Sequence, residues 1–142
     1  MSYLVTGRSN VGNFLKTKLS EVRNSAYFVR RGPIDWNAHD WKAKPRAVAV
    51  IIDDCTFLRQ INEASVSFEV FAAIPKDGDN IDDTLTDELF NDAALVLNSL
   101  VTEKDSNGDS IATLLPKSEL AIECYDMDLK IQGLIITFTI KY

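Results

Sequence analysis

Several groups of residues in this sequence have types and spacings that could do chemistry. Tyr3-Leu4-Val5-Thr6-Gly7-Arg8-Ser9-Asn10-Val11-Gly12 has the outline of a phosphate-cradling turn, in which backbone N–H groups and a helix N-terminus hold a pyrophosphate. The details favour an ordinary helix entry. The apolar run is short, the middle glycine of a dinucleotide fingerprint is missing, and no acidic residue ends a second strand about 20 residues later. Glu103-Lys104-Asp105-Ser106-Asn107-Gly108-Asp109 has oxygen donors and a glycine placed as in a calcium loop, but Leu114 stands where a bidentate glutamate is required. Asp77, Asp79, Asp82 and Asp83 could hold a divalent cation, yet carboxylates at a helix start are explained by the helix dipole alone. His39 has no nucleophile marked out beside it. The segment from Arg30 to Lys44 interleaves cations with Trp36 and Trp41, side chains suited to gripping phosphates and bases or to anchoring a protein contact.

These constellations imply no catalytic residues, no metal site and no cofactor, so the expectation is a protein that is not an enzyme. Two cysteines, Cys55 and Cys124, and one histidine are too few for a tetrahedral zinc site within one chain. Both cysteines lie on apolar segments and read as small buried thiols in a reducing compartment. No apolar run approaches the ~20 residues that span a bilayer, and the N-terminal residues do not read as a signal peptide.

The 142 residues are 46% apolar and 25% charged, which describes one folded domain over residues 1–142. The net charge of −6 argues against a protein whose main task is coating nucleic acid or an anionic membrane. That total hides a split. Residues 1–46 carry nine basic and three acidic side chains (+6), and residues 47–142 carry six basic and eighteen acidic ones (−12). A basic loop facing an acidic surface suits a protein contact better than a nucleic-acid one.

The elements that position these residues follow from periodicity. Ser9 is placed to cap a helix over about 10–23, with Val11, Phe14, Leu15, Leu19 and Val22 forming one stripe. An irregular stretch follows from Ala26, with a long loop at about 30–45 of the kind that is functional or held by a partner. Strands are predicted at 46–53 and 65–74, the latter alternating Val66, Phe68 and Val70 against Ser65, Ser67 and Glu69. Asp82, Asp83, Thr84 and Asp87 supply a capping side chain and first-turn carboxylates for a helix running to about Val101, with a stripe of Leu85, Leu89, Phe90, Ala93, Val96, Leu97 and Leu100. Pro116 bars a strand before about Ser118. Two further strands, containing Leu120–Cys124 and Leu134–Ile140, are joined by a turn near Tyr125–Asp128. The expectation is an α+β domain: about four strands, antiparallel or mixed, with two main helices on one face.

This order, together with several local strings, resembles the tail terminator family of long-tailed bacteriophages, the lambda gpU kind of minor tail protein. The strings are Tyr27-Phe28-Val29 leading through a Gly-Pro loop to Pro45-Arg46-Ala47-Val48-Ala49-Val50, then Val66-Ser67-Phe68-Glu69-Val70-Phe71 closed by Ala73-Ile74-Pro75, then the acidic helix at 83–101 and the final Thr139-Ile140-Lys141-Tyr142. The resemblance covers nearly the whole chain in order and contains no diagnostic motif. It implies a structural virion protein, assembled in the host cytoplasm, that forms a homo-oligomeric ring, a hexamer in that family. Such a ring caps the tail tube, stops its polymerisation and offers a docking surface to the head, so its partners are itself, the tube protein and a head-tail connector. A connector or neck protein, or a nucleic-acid module using the Trp loop, are the alternatives. The resemblance carries over no functional residues. Charge and composition place the subunit interface at Arg30, Arg31, Trp36, Trp41, Lys42 and Lys44 on one side, and at an acidic surface within 77–92, including Asp82, Asp83 and Asp87, on the other.

Overall fold

A computed structural model describes residues 3–53, 63–75, 80–104 and 107–141, with the backbone alone for 3–8 and 115–120. Cys55, Asp77, Asp79, Asp105 and Ser106, which figured in the expectations above, lie outside the described residues. The elements are α1 (Tyr3–Ser25), β1 (Phe28–Arg31), β2 (Arg46–Asp53), β3 (Glu63–Ala73), α2 (Asp83–Thr102), β4 (Thr113–Asp126) and β5 (Ile131–Lys141). The strands form one five-stranded sheet in the order β1-β2-β3-β5-β4. β1 pairs with β2 in parallel and every other pair is antiparallel.

The four-strand expectation is therefore wrong. The missing strand is β1, which lies where the irregular stretch was expected. It is only four residues long, too short to show a period of two, and its Arg30-Arg31 pair masks the alternation. Val29 and Arg31 face the helices, while Phe28 and Arg30 face the other way. Pro116 does not delay β4 to Ser118 either: the strand starts at Thr113 and absorbs the proline in a register shift between Leu115 and Leu120. An isolated bridge between Lys104 and Ser110 closes the turn after α2. Helix α1 begins at Tyr3, so Ser9 lies inside it and is not its cap.

Alternation along the strands builds the core. Val48, Val70 and Leu134 lie in one cross-strand row, Val50, Phe68 and Ile136 in the next, and Ile52, Val66 and Phe138 in a third. Against them pack Val11, Leu15 and Leu19 of α1 and Leu85, Leu89, Ala93, Val96 and Leu100 of α2, so both helices cover one face. Phe68 and Phe138 meet edge to face at 5.2 Å, the arrangement the ring quadrupoles favour. The α2 stripe differs from expectation on one flank: Phe90 is 46% exposed, whereas Asp92, three residues after Leu89, is buried. Asp82 caps this helix by accepting a hydrogen bond from the Leu85 N–H.

The other face of the sheet carries Ala47, Phe71, Gly133 and Cys124 in one row and Ala49, Glu69, Ile135 and Ile122 in the next. At Gly133 a side chain would run into the Val70 carbonyl and the Phe71 backbone. Glycine is required there for β3 and β5 to keep their spacing under the Phe71 ring.

Candidate interaction surface

Two charge systems draw on the same basic and acidic halves of the chain. The inner one was not expected from the sequence. Helix α1 ends in a left-handed turn, with φ of 51° at Arg23, 54° at Asn24 and 61° at Ser25, a region that costs a non-glycine residue about 1–2 kcal/mol. The turn aims Arg23 at Asp92, whose carboxylate accepts from Nε at 2.6 Å and from Nη2 at 3.0 Å. The Tyr27 hydroxyl donates to the same carboxylate at 2.7 Å, and Arg46 at the start of β2 donates to Glu88 at 2.6 Å.

These bonds tie α1, the approach to β1, the first residue of β2 and α2 together. They give the buried Asp92 the partners an interior carboxylate needs. Burial first, and then the bond to Asp92, push the Tyr27 hydroxyl well above the ordinary tyrosine range, with the contact from Arg46 opposing. The Arg23 guanidinium is held more firmly protonated, chiefly by its bond to Asp92. Burial works against the charge of Arg46, but its bonds to Glu88 and Tyr27 outweigh it. One signal was present in the sequence: Asp92 falls on the buried stripe set by Leu85, Leu89, Ala93 and Val96. Lys18 and Glu103 form a further pair at 3.0 Å, which with Arg23–Asp92 shows that the helices run antiparallel.

The expected interface residues are distributed differently. Trp36 and Trp41 stack on each other at 5.7 Å, and the Trp41 Nε1–H donates to the Trp36 carbonyl. Trp36 packs on Phe71 of the sheet at 4.9 Å, and His39 sits between Trp41 and Phe28 at 4.5 and 5.3 Å. The His39 Nε2 also meets the Lys44 carbonyl at 2.8 Å, and Asp40 ties down the turn by accepting from the Lys42 and Ala43 N–H groups. The long loop is thus held by its own sheet through an aromatic cluster. The tryptophans spend their faces on one another and on Phe71, which works against base stacking as their role.

Lys42 and Lys44 are exposed on this loop. Asp82 is occupied at the start of α2, where its backbone N–H and C=O both bond to the buried Gln132 side chain at 2.8 Å. Asp83 and Asp87 are exposed on the same helix. Within the chain the basic loop and these aspartates make no ion pair among the described residues.

The outer charge system appears at the two ends of the sheet. β1 presents Arg30, exposed, and Arg31, whose guanidinium crosses Gly12 and donates to Asn13 at 3.1 Å. At the opposite end, β4 and its turn present Glu123, Asp126 and Asp128, all exposed, together with Ile122, Tyr125 and Met127 at 47%, 61% and 42% exposure. With five strands spaced about 4.8 Å apart, the two edges stand roughly 19 Å from each other. On the face away from the helices, burial pushes the Glu69 carboxyl up, and burial together with Glu69 raises the Cys124 thiol, which favours its neutral form.

An apolar cleft of about 300 Å³ opens between α2 and β5, lined by Phe90, Ala94, Leu97 and Ile136 among others. No group of three or more metal-ligating side chains occurs among the described residues, and none of their helices is long and apolar enough to cross a membrane. No family model matches the sequence, and no curated protein matches it significantly.

Proposed function

We propose that this chain is a non-catalytic structural subunit that assembles head to tail into a closed ring, acting as a phage tail terminator in the virion. The ring would cap the tail tube, stop its growth and offer the head a docking surface. Its partners would be copies of itself, the tube protein and a head-tail connector. One observation carries this reading: opposite charges occupy opposite edges of a single sheet, with Arg30 and Arg31 on β1 and Glu123 and Asp126 on β4. A surface that complements a different surface of the same molecule makes a heterologous contact, and such contacts generate rings when the rotation closes. Opposite potentials also set register and speed encounter.

Electron microscopy of the purified protein tests the proposal. Six-fold rings are expected. Rings of another symmetry would favour a connector or neck role, and single subunits at every concentration would contradict ring formation.

A further inference from the structure

Resting on that reading, we infer that the subunit contact is an antiparallel extension of the sheet, in which the β1 edge of one copy pairs with the C-terminal half of β4 in the next. The topology sets the direction. β1, β2 and β5 run one way and β3 and β4 the other, so a neighbour rotated about an axis along the strands brings its β1 antiparallel to β4. Each edge strand is paired on one side only among the described residues. The outer N–H and C=O groups of both therefore suit strand addition.

Side-chain facing then restricts the register. Arg31 and Val29 lie on the helix face of the sheet, opposite Val50 and Val48. Glu123 and Tyr125 lie on that same face, opposite Leu134 and Gln132. A continuous sheet keeps like faces together, so β1 can shift along β4 only in steps of two residues. Setting Arg31 opposite Glu123 places Val29 opposite the exposed Tyr125 ring, Arg30 opposite Cys124 and Phe28 opposite Asp126, with Arg30 diagonal to Asp126. All of β1 then lies against β4. Shifting one step towards the turn puts Val29 and Phe28 against Met127 and Asp128, beyond the end of the strand. Shifting one step the other way sets Val29 against Glu123 and Arg31 against Ala121, so the charge pair is lost. The register shift at Leu115–Leu120 interrupts β4, and its longest unbroken stretch of pairing is Leu120–Asp126 in the C-terminal half.

Paired cysteines in a Cys55→Ser, Cys124→Ser background test this register. Directly opposed antiparallel residues have Cα atoms about 4.5–5.5 Å apart, within disulfide reach. The two edges of one subunit are too far apart to bridge. Val29→Cys with Tyr125→Cys should give a ladder of disulfide-linked oligomers on oxidation, and Val29→Cys with Ala121→Cys should not.

In the unbridged protein, Arg31→Glu should raise the concentration needed for assembly at least about tenfold, and adding Glu123→Arg should restore it. Rings that form without the Val29–Tyr125 ladder and without rescue by the charge swap would overturn the edge pairing while leaving the ring. Absence of both rings and ladder would overturn the ring reading as well.

Discussion

The two charge systems use the same residue types from the same two halves of the chain, yet they do different work. Arg23 and Arg46 reach Glu88 and Asp92 inside one subunit, at distances of 2.6 Å for their shortest contacts and with Asp92 only 7% exposed at its side chain. Arg30, Glu123 and Asp126 are exposed on sheet edges, and on the proposed reading their counterparts lie in a neighbouring copy. Depth separates the two. A buried carboxylate must be fully partnered within the fold, whereas an exposed one contributes little to stability and keeps its charge available for encounter. A change to the inner set should cost stability, and a change to the outer set should cost assembly.

The sharpest way to break that contrast is Asp92→Ala, which leaves Arg23 and Tyr27 without their shared acceptor. A loss of about 2–3 kcal/mol is expected by urea unfolding, because the buried Tyr27 hydroxyl loses its acceptor while Arg23, 37% exposed at its side chain, can turn to water; a loss under about 1 kcal/mol would show that Asp92 does not hold these elements together. Gly133→Ala should follow, at about 1–3 kcal/mol, because its methyl group meets the β3 backbone as well as the Phe71 ring, and the backbone cannot move aside cheaply.

Tyr27→Phe should cost about 1 kcal/mol at neutral pH. Because the fold raises the Tyr27 hydroxyl above its unfolded value, the stability it contributes is fully present below about pH 10 and is lost as pH rises beyond that. The phenylalanine variant should lack this alkaline component, which thermal melts from pH 8 to 11 would show. Arg30→Glu should leave stability within about 0.5 kcal/mol while weakening assembly, which light scattering would report.

The smallest effect is expected at Glu69. Its carboxyl is raised by burial, so its ionised form disfavours the fold, and Glu69→Gln should slightly raise the melting temperature at pH 7. That gain should disappear once the pH falls below the ordinary carboxylate range.

Strong periods were legible in the sequence. β3 alternates Val66, Phe68 and Val70 to one face, and α2 repeats its leucines at helical spacing, so both could be placed with nothing more than burial. β1 could not, because four residues pairing in parallel along a neighbour leave no local signature, and its role depends on β2. The start of β4 was hidden by Pro116, since its toleration rests on a register shift that only the pairing with β5 reveals.

The charge split was equally legible, but its division was not. Arg23 and Asp92 are 69 residues apart in sequence, and only the packing of α1 on α2 decides that they meet while Arg30 does not. The same holds for Trp36 and Trp41, whose composition suggested an anchor for a partner and of which Trp36 packs on Phe71 while Trp41 stacks on Trp36.

Sedimentation of the unaltered protein across a salt series, with thermal melts on the same samples, tests the central claim most directly. A ring-sized species is expected at low salt, giving way to the 15.9 kDa subunit as salt rises, while the melting of the subunit changes little because Asp92, which holds Arg23 and Tyr27, is buried. A species of constant mass across the series, or melting that collapses in step with dissociation, would contradict the division between inner and outer charge.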